Sequence, residues 1–339
     1  MATVQARRIL RDGTTIGMGS LPHRDVDAAV EFALRVTGVP TIPSLPRRSP
    51  AEGLTVQGLL GIEGVSVGQY GSVGFDVTAV DPDAPVVTDL HHDAFGAFRA
   101  FLAAAPGRVS IVKWQLVGPV TLGMALIRGG VPLDRAFDVA VRAVRAHLVH
   151  LLDAVDAALP GVDQVVFVDE PDLAGLADTD DVFPIAPDTA ADLVSGALAA
   201  VETRAVSGLH VCGEPDWATL IATGPQILSV PVRPSVVHSA SHIARYLDLG
   251  GVVAWGAVST DGPISTTVER PWRQLSDLWC QLVERGCDQV KLRRQSLVSP
   301  ECGLGPHTPA VAERVFRVND ELGRRVRDQA TASRFVLGA

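Results

Sequence analysis

The chain is short of the residues that staple small secreted domains or mark membrane proteins. Its 339 residues contain four cysteines, three methionines and two tyrosines, and aromatics make up 5%. So few cysteines in so long a chain make no disulfide framework. No stretch approaches the roughly 18 consecutive apolar residues that a bilayer span needs. Positive charge is also scarce: 29 Lys and Arg face 38 Asp and Glu, a net charge of −9. With no basic stripe, neither nucleic acid nor an anionic membrane is an expected partner. Arg324, Arg325 and Arg327 do cluster, but Asp320, Glu321 and Asp328 flank them, as on a solvated helix face. Arg7 and Arg8 are followed by no apolar run, so no secretory leader is read there and a cytoplasmic protein is expected. No Gly-x-Gly-x-x-Gly lies between a strand and a helix, which argues against a dinucleotide enzyme.

What is present is a globular composition, 47% hydrophobic and 20% charged. Short β-rich runs lie at 14–20, 39–45, 109–117, 164–169, 208–212, 226–232, 252–258 and 289–298. Several are almost continuously apolar, the pattern of parallel strands buried on both faces. Amphipathic stretches follow most of them, at 25–36, 133–158, 187–203, 216–222, 239–249, 271–285 and 309–329. Asp25 stands where a helix N-cap is needed. Eight strands alternating with helices predict one α/β domain over 1–339, a (β/α)8 TIM barrel. Residues 47–108 are long for one crossover. Their Gly61, Gly64, Gly68, Gly71 and Gly74 predict a hairpin or bulged excursion, with a helix following over 92–104. Residues 170–187 read as an acidic, proline-bearing loop, and 330–339 as a loose tail.

The chemistry-bearing residues fall at predicted strand ends, where barrel enzymes work. His210 and Cys212 are two apart, so on a strand they face one side. Cys302 lies 90 residues further on and follows the last strand. One imidazole and two thiolates make a zinc ligand set, and three protein ligands leave an open position for catalysis. Ser20, Trp114 and Gln115, and Asp169 with Glu170, occupy the ends of the first, third and fourth strands. Asp169 and Glu170 are expected to serve catalysis, with loop or helix capping as the alternative, and Ser20, Asp169, Trp114 and Gln115 to contact substrate. His238 and His307 are further ligand candidates, whereas Cys280 and Cys287 read as small core hydrophobes. A thiolate-rich zinc site favours binding and deprotonating a substrate thiol over activating water. Cys2His sites also occur in dehydrogenases, which the missing dinucleotide fingerprint disfavours.

Five motifs together resemble the catalytic C-terminal barrel of the cobalamin-independent methionine synthases. Thr15-Ile16-Gly17-Met18-Gly19-Ser20-Leu21-Pro22 looks like that family's Ile-Gly-Ser-Phe-Pro opening with two extra residues. Gly118-Pro119-Val120-Thr121, Val168-Asp169-Glu170-Pro171, His210-Val211-Cys212 and Pro300-Glu301-Cys302-Gly303-Leu304 are similar to the motifs that follow it, in the same order. The resemblance spans residues 14–305 and is closest to the short, single-barrel forms. It implies a zinc-dependent methyltransferase on a (β/α)8 barrel, serving methionine biosynthesis, with His210, Cys212 and Cys302 holding Zn2+. Asp169 would bind the amino group of homocysteine or a related small-molecule thiol, Ser20 its carboxylate end, and Glu170 would assist. The methyl donor would be a folate or a corrinoid, the latter possibly on a corrinoid protein. One departure stands out. The family's glutamate ligand should end the sixth strand, which here reads Ile227-Leu228-Ser229-Val230-Pro231-Val232. Water, substrate, His238 or Glu214 would then fill the fourth position. Two alternatives follow: a metal-free enzyme resembling uroporphyrinogen decarboxylase, and a non-catalytic zinc- or corrinoid-binding homologue.

Overall fold

The computed structural model describes residues 3–332 apart from 37, 69, 178–182 and 215. Two short strands, β1 (Val65–Val67) and β2 (Val73–Phe75), pair antiparallel, so the glycine-rich excursion does hold a hairpin. The remaining six are β3 (Ile111–Val117), β4 (Asp163–Asp169), β5 (Val206–His210), β6 (Ile227–Pro231), β7 (Val252–Val258) and β8 (Ser296–Pro300). They form one parallel sheet in sequence order, β3-β4-β5-β6-β7-β8, with helices in the connections. This is an α/β fold with right-handed crossovers expected throughout. Two segments expected as strands, 14–20 and 39–45, form isolated parallel bridges between the sheet's outer members. Thr15 bridges to Val298 of β8, Ile16 to Val39, Ser20 to Ser44, and Thr41 to Lys113 of β3. Backbone bonds follow the same path, Ile16 N donating to Val298 O at 3.0 Å and Ile42 N to Lys113 O at 2.8 Å.

Strand side chains alternate with period two, and the core divides accordingly. Val165 and Phe167 of β4, Val206 of β5, Ile227 of β6, Val252 and Ala254 of β7 and Leu297 of β8 share one cluster with Ile16, Met18 and Val39. The intervening residues, among them Val166, Val168, Leu209, Leu228, Val253, Trp255 and Val298, belong to a larger cluster packed against the helices. Continuously apolar strands are what such two-sided burial requires.

Local signals explain most helix boundaries. Asp25 accepts from Ala28 N at 2.8 Å and caps the helix Val26–Arg35. Asp216 caps Trp217–Ala222 in the same way. The 26-residue helix Leu133–Ala158 keeps the bounds its periodicity predicts. The expected last strand is corrected at its start: Gln289–Arg294 is a helix, because Asp288 accepts from Val290 N and Lys291 N and nucleates a turn before β8. The helix Pro119–Arg128, which a Gly-Pro start and few charges disguise, was absent from the expected elements. The helix Pro309–Thr331 runs into the expected tail, where Ala330 is buried, while 333–339 lie outside the described residues. Within the loop 170–187, Pro171–Ala177 forms 3-10 turns, and 178–182 lie outside the described residues. Among the described residues no helix is long and apolar enough to cross a membrane.

Candidate metal centre and its cavity

β5 ends on His210, and Cys212 follows two residues later on the same side. β8 ends on Pro300, and Cys302 stands at the same offset beyond it. The sheet thus brings together residues 90 apart in sequence. His210 Nε2 lies 3.0 Å from Cys212 Sγ, and Cys212 Sγ 3.0 Å from Cys302 Sγ. The three ligand atoms lie within 4.8 Å of one another, and among the described residues they form the one cluster of this kind. Both cysteines are free thiols. Hydrogen bonds from Cys212 and then His210 hold Cys302 well below an ordinary thiol, while contact with Cys302 and burial push Cys212 up.

The donor set fits a thiophilic dication: two sulfurs and one imidazole nitrogen lie within 4.8 Å of one another, the soft ligand types that a zinc-like ion takes. The imidazole is also oriented from behind: its Nδ1 lies 3.0 Å from Ser229 Oγ in β6. Such a partner holds the ring in place with Nε2 toward the two sulfurs. Nothing in the sequence singled out Ser229. Its register opposite His210 is the signal, and that requires the strand pairing.

A cavity of about 320 Å³ opens beside the trio, lined by His210, Cys212 and Cys302 together with Ser20, Gln115 and Asp169. Met18, Pro46, Leu54, Pro171 and Pro306 supply its apolar wall. Leu54 belongs to the excursion 47–108, so that segment helps close the cavity. The buried carboxylate of Glu52 fastens it there, accepting from Leu45 N at 2.6 Å and Ala97 N at 3.2 Å.

Asp169 ends β4 on the cavity side. It is 6% exposed, and its Oδ1 has no hydrogen-bond partner among the described residues. Burial pushes its carboxyl up to about 6, against the pull of His210 and then Lys113. An unpartnered buried oxygen facing a cavity is a place for a donor, such as an ammonium group. Ser20 reaches the same cavity, and its hydroxyl accepts from Gly305 N at 3.3 Å, docking the loop that carries Cys302.

Two expected site residues lie elsewhere. Glu170 is fully buried on the opposite side of the strand end, where it accepts from Val120 N at 2.8 Å and Thr121 N at 2.7 Å. Those are free N–H groups of the first turn of Pro119–Arg128, so Glu170 anchors a helix N-terminus. Gly118 makes the approach possible, since a Cβ there would sit 2.2 Å from Glu170 Oε1. Burial nevertheless pushes Glu170 up to about 7. Glu170 is thus placed outside the cavity lining and at a helix N-terminus, the capping arrangement that stood as the alternative to a catalytic role. Trp114 is corrected likewise. Its side chain points into the helix layer, donating from Nε1 to Gln164 Oε1 at 2.8 Å, because it is one residue out of phase with Gln115.

The other ligand candidates do not join the trio. Glu214 accepts from Ser235 Oγ and lies beside Arg233. His238 and His307 are not among the cavity residues. Glu301, next to Cys302, is ion-paired with Arg233. Cys287 is buried as expected and donates to Ala240 O at 3.2 Å, while Cys280 is half-buried.

No protein family and no curated protein matches this chain. Among solved structures, a Thermobacillus composti GH10 xylanase is similar over 66% of this chain and 67% of that one, at 14% identity and a TM-score of 0.27.

Proposed function

We propose that the protein is a zinc-dependent methyltransferase of the cobalamin-independent methionine synthase type, acting on a small thiol such as homocysteine. Residues 14–20 and 39–45 then serve as the first two strands of a closed (β/α)8 barrel, with the trio at its C-terminal mouth. One observation carries this reading: three soft ligand atoms converge within 4.8 Å beside a cavity that also holds an unpartnered carboxylate oxygen.

His210, Cys212 and Cys302 would hold the ion, which would lower the pKa of an acceptor thiol so that it is a thiolate at neutral pH. Ser229 holds the imidazole in the orientation that turns Nε2 toward the sulfurs. Asp169 accepts hydrogen bonds from the acceptor's ammonium group, setting the sulfur's position relative to the trio. The apolar wall of Met18, Leu54 and Pro171 excludes water, so that the sulfur meets the methyl group and not a hydroxide competitor. The methyl would pass from a folate nitrogen or a corrinoid cobalt to that sulfur, the S–CH3 bond forming as the carrier bond breaks; the bond's electron pair stays on the carrier, and a folate nitrogen takes up the proton that the thiol gave up.

A second reading, a barrel that binds zinc without turnover, is favoured by Pro231, which ends β6 where the family's glutamate ligand would stand. Metal analysis and assay separate the two. Purified protein is expected to bind about one zinc per chain, inferred from one His/Cys2 cluster. Cys212→Ser and Cys302→Ser should each lower zinc affinity at least a hundredfold. Unchanged zinc content in both variants would sink the metal site. Zinc binding without methyl transfer to homocysteine from either methylcobalamin or methyl-folate would select the non-catalytic reading.

A further inference from the structure

Lys113 is fully buried on the inner face of β3, two residues before Gln115 and pointing the same way. Its Nζ stands 4.5 Å from the centroid of the Phe167 ring and donates to Gln115 Oε1 at 2.9 Å. Burial pulls the ammonium down to about 8, with Asp169 opposing, so it stays charged at neutral pH. A lysine ammonium carries only donors. It therefore fixes which way the Gln115 carboxamide lies: oxygen toward Lys113, Nε2 away from it. Nε2 makes no hydrogen bond among the described residues, and Gln115 lines the cavity. The carboxamide is also trapped from the side. It lies against Gly19, where φ is +89° and a Cβ would sit 1.9 Å from Nε2. Across the β3–β4 pair, Gln115 is in register with Phe167, and Val117 with Asp169. The cavity therefore offers an N–H donor at Gln115 and an unpartnered acceptor at Asp169, one strand apart.

We propose that Lys113 is a positioning residue that locks Gln115 as a donor into the cavity, where Gln115 Nε2 binds a carboxylate oxygen of the acceptor while Asp169 takes its ammonium. This rests on the thiol-acceptor reading of the same cavity. The donor and acceptor pair selects an α-amino-acid thiol over the aminothiol that lacks the carboxylate. Lys113 touches no substrate; it acts by removing the choice of amide orientation. A carboxamide free to rotate by half a turn would present oxygen to the carboxylate about as often as nitrogen.

The test is calorimetric titration of the zinc-loaded protein with L-homocysteine and with 3-aminopropane-1-thiol. The wild type should prefer homocysteine by about tenfold, the worth of one hydrogen bond to a charged group. Lys113→Met and Gln115→Leu should each reduce that preference to about twofold or less, with zinc content and aminothiol affinity retained. The double variant should lose nothing more, because both residues act through one contact. Gln115→Glu, which pairs with Lys113 and repels a carboxylate, should reverse the preference; it also serves if Lys113→Met fails to fold. A preference that survives Lys113→Met, or that Gln115→Glu leaves in place, overturns the proposal, as does a wild type that binds both thiols equally. A wild type that binds neither thiol instead overturns the thiol-acceptor reading itself, and this inference with it.

Discussion

Asp169 and Glu170 are adjacent in sequence, both acidic and both buried, yet the strand end sends them to opposite sides. Asp169 lines the cavity, and its buried Oδ1 has no hydrogen-bond partner among the described residues. Glu170 faces the helix layer with both oxygens engaged by the first turn of Pro119–Arg128. The contrast divides the motif residues between two tasks. Gly118-Pro119-Val120-Thr121 and Asp169-Glu170-Pro171 meet in one joint, in which Glu170 fastens a helix so that Asp169 is held at the rim. A satisfied buried carboxylate is architecture, and an unsatisfied one is a binding site waiting for its donor.

The strongest way to break this comparison is to remove each carboxylate in turn. Glu170→Ala leaves two buried N–H groups at a helix terminus without their acceptor, for a loss of roughly 4 kcal/mol in unfolding free energy. Glu170→Gln, which keeps one acceptor oxygen, should recover about half of that loss. Asp169→Asn should cost no stability, because burial already disfavours its charge, and should instead abolish acceptor binding. Denaturant unfolding and thiol titration read the two effects separately. If Asp169→Asn proved the more destabilising variant, the division would be wrong.

The comparison sharpens further at Lys113, a buried charge whose one hydrogen-bond acceptor among the described residues is a neutral amide. Its pKa falls from 10.5 to about 8 on folding. Between those values the unfolded chain binds the proton and the folded chain does not, so Lys113 makes stability rise with pH from about 8 to 10.5. Below pH 8 the cost is present in full. Lys113→Met should therefore be more stable than wild type at pH 7 by on the order of 3 kcal/mol, the gap closing as pH approaches 10.5. Urea unfolding at pH 7, 8.5 and 10 measures this. Parallel curves for the two proteins would show that the lysine pays no desolvation cost.

Much of this arrangement could be read from the chain before any coordinates. Apolar runs separated by amphipathic stretches predicted six of the parallel strands, and the i, i+2 spacing of His210 and Cys212 predicted their common side. That Cys302 joins them followed from its place after the last strand, since parallel strands in order deliver their C-terminal ends to one face. Phase was harder. Trp114 and Gln115, like Asp169 and Glu170, differ by one residue, and a run apolar on both faces gives no alternation from which to tell inside from outside. Lys113 was passed over for the same reason: within Ile-Val-Lys-Trp-Gln-Leu-Val a lysine reads as an edge charge until the register shows it beside Phe167. The first two strand segments hold only single bridges, which no local propensity distinguishes from full pairing. The helix Gln289–Arg294 was legible in principle, since Gln, Lys, Leu and Arg favour helix and Asp288 before them is a visible cap.

The smallest effect concerns that question of phase at Trp114. The ring is 1% exposed and lies in the helix-facing core, and its Nε1 starts a chain in which Gln164 Nε2 donates to Asp156 at 2.7 Å. Trp114→Phe keeps the aromatic packing but leaves Gln164 Oε1 without its donor, at a cost of about 1 kcal/mol. Because the indole faces away from the cavity, zinc content and thiol affinity should match wild type. The same measurement on Gln115→Leu, one residue along, should show the carboxylate preference lost, together with a stability loss because the buried Lys113 ammonium is left without its acceptor. A Trp114→Phe protein with altered thiol affinity and unchanged stability would mean that β3 presents its other face to the cavity, and the assignments of Lys113 and Gln115 would fall together.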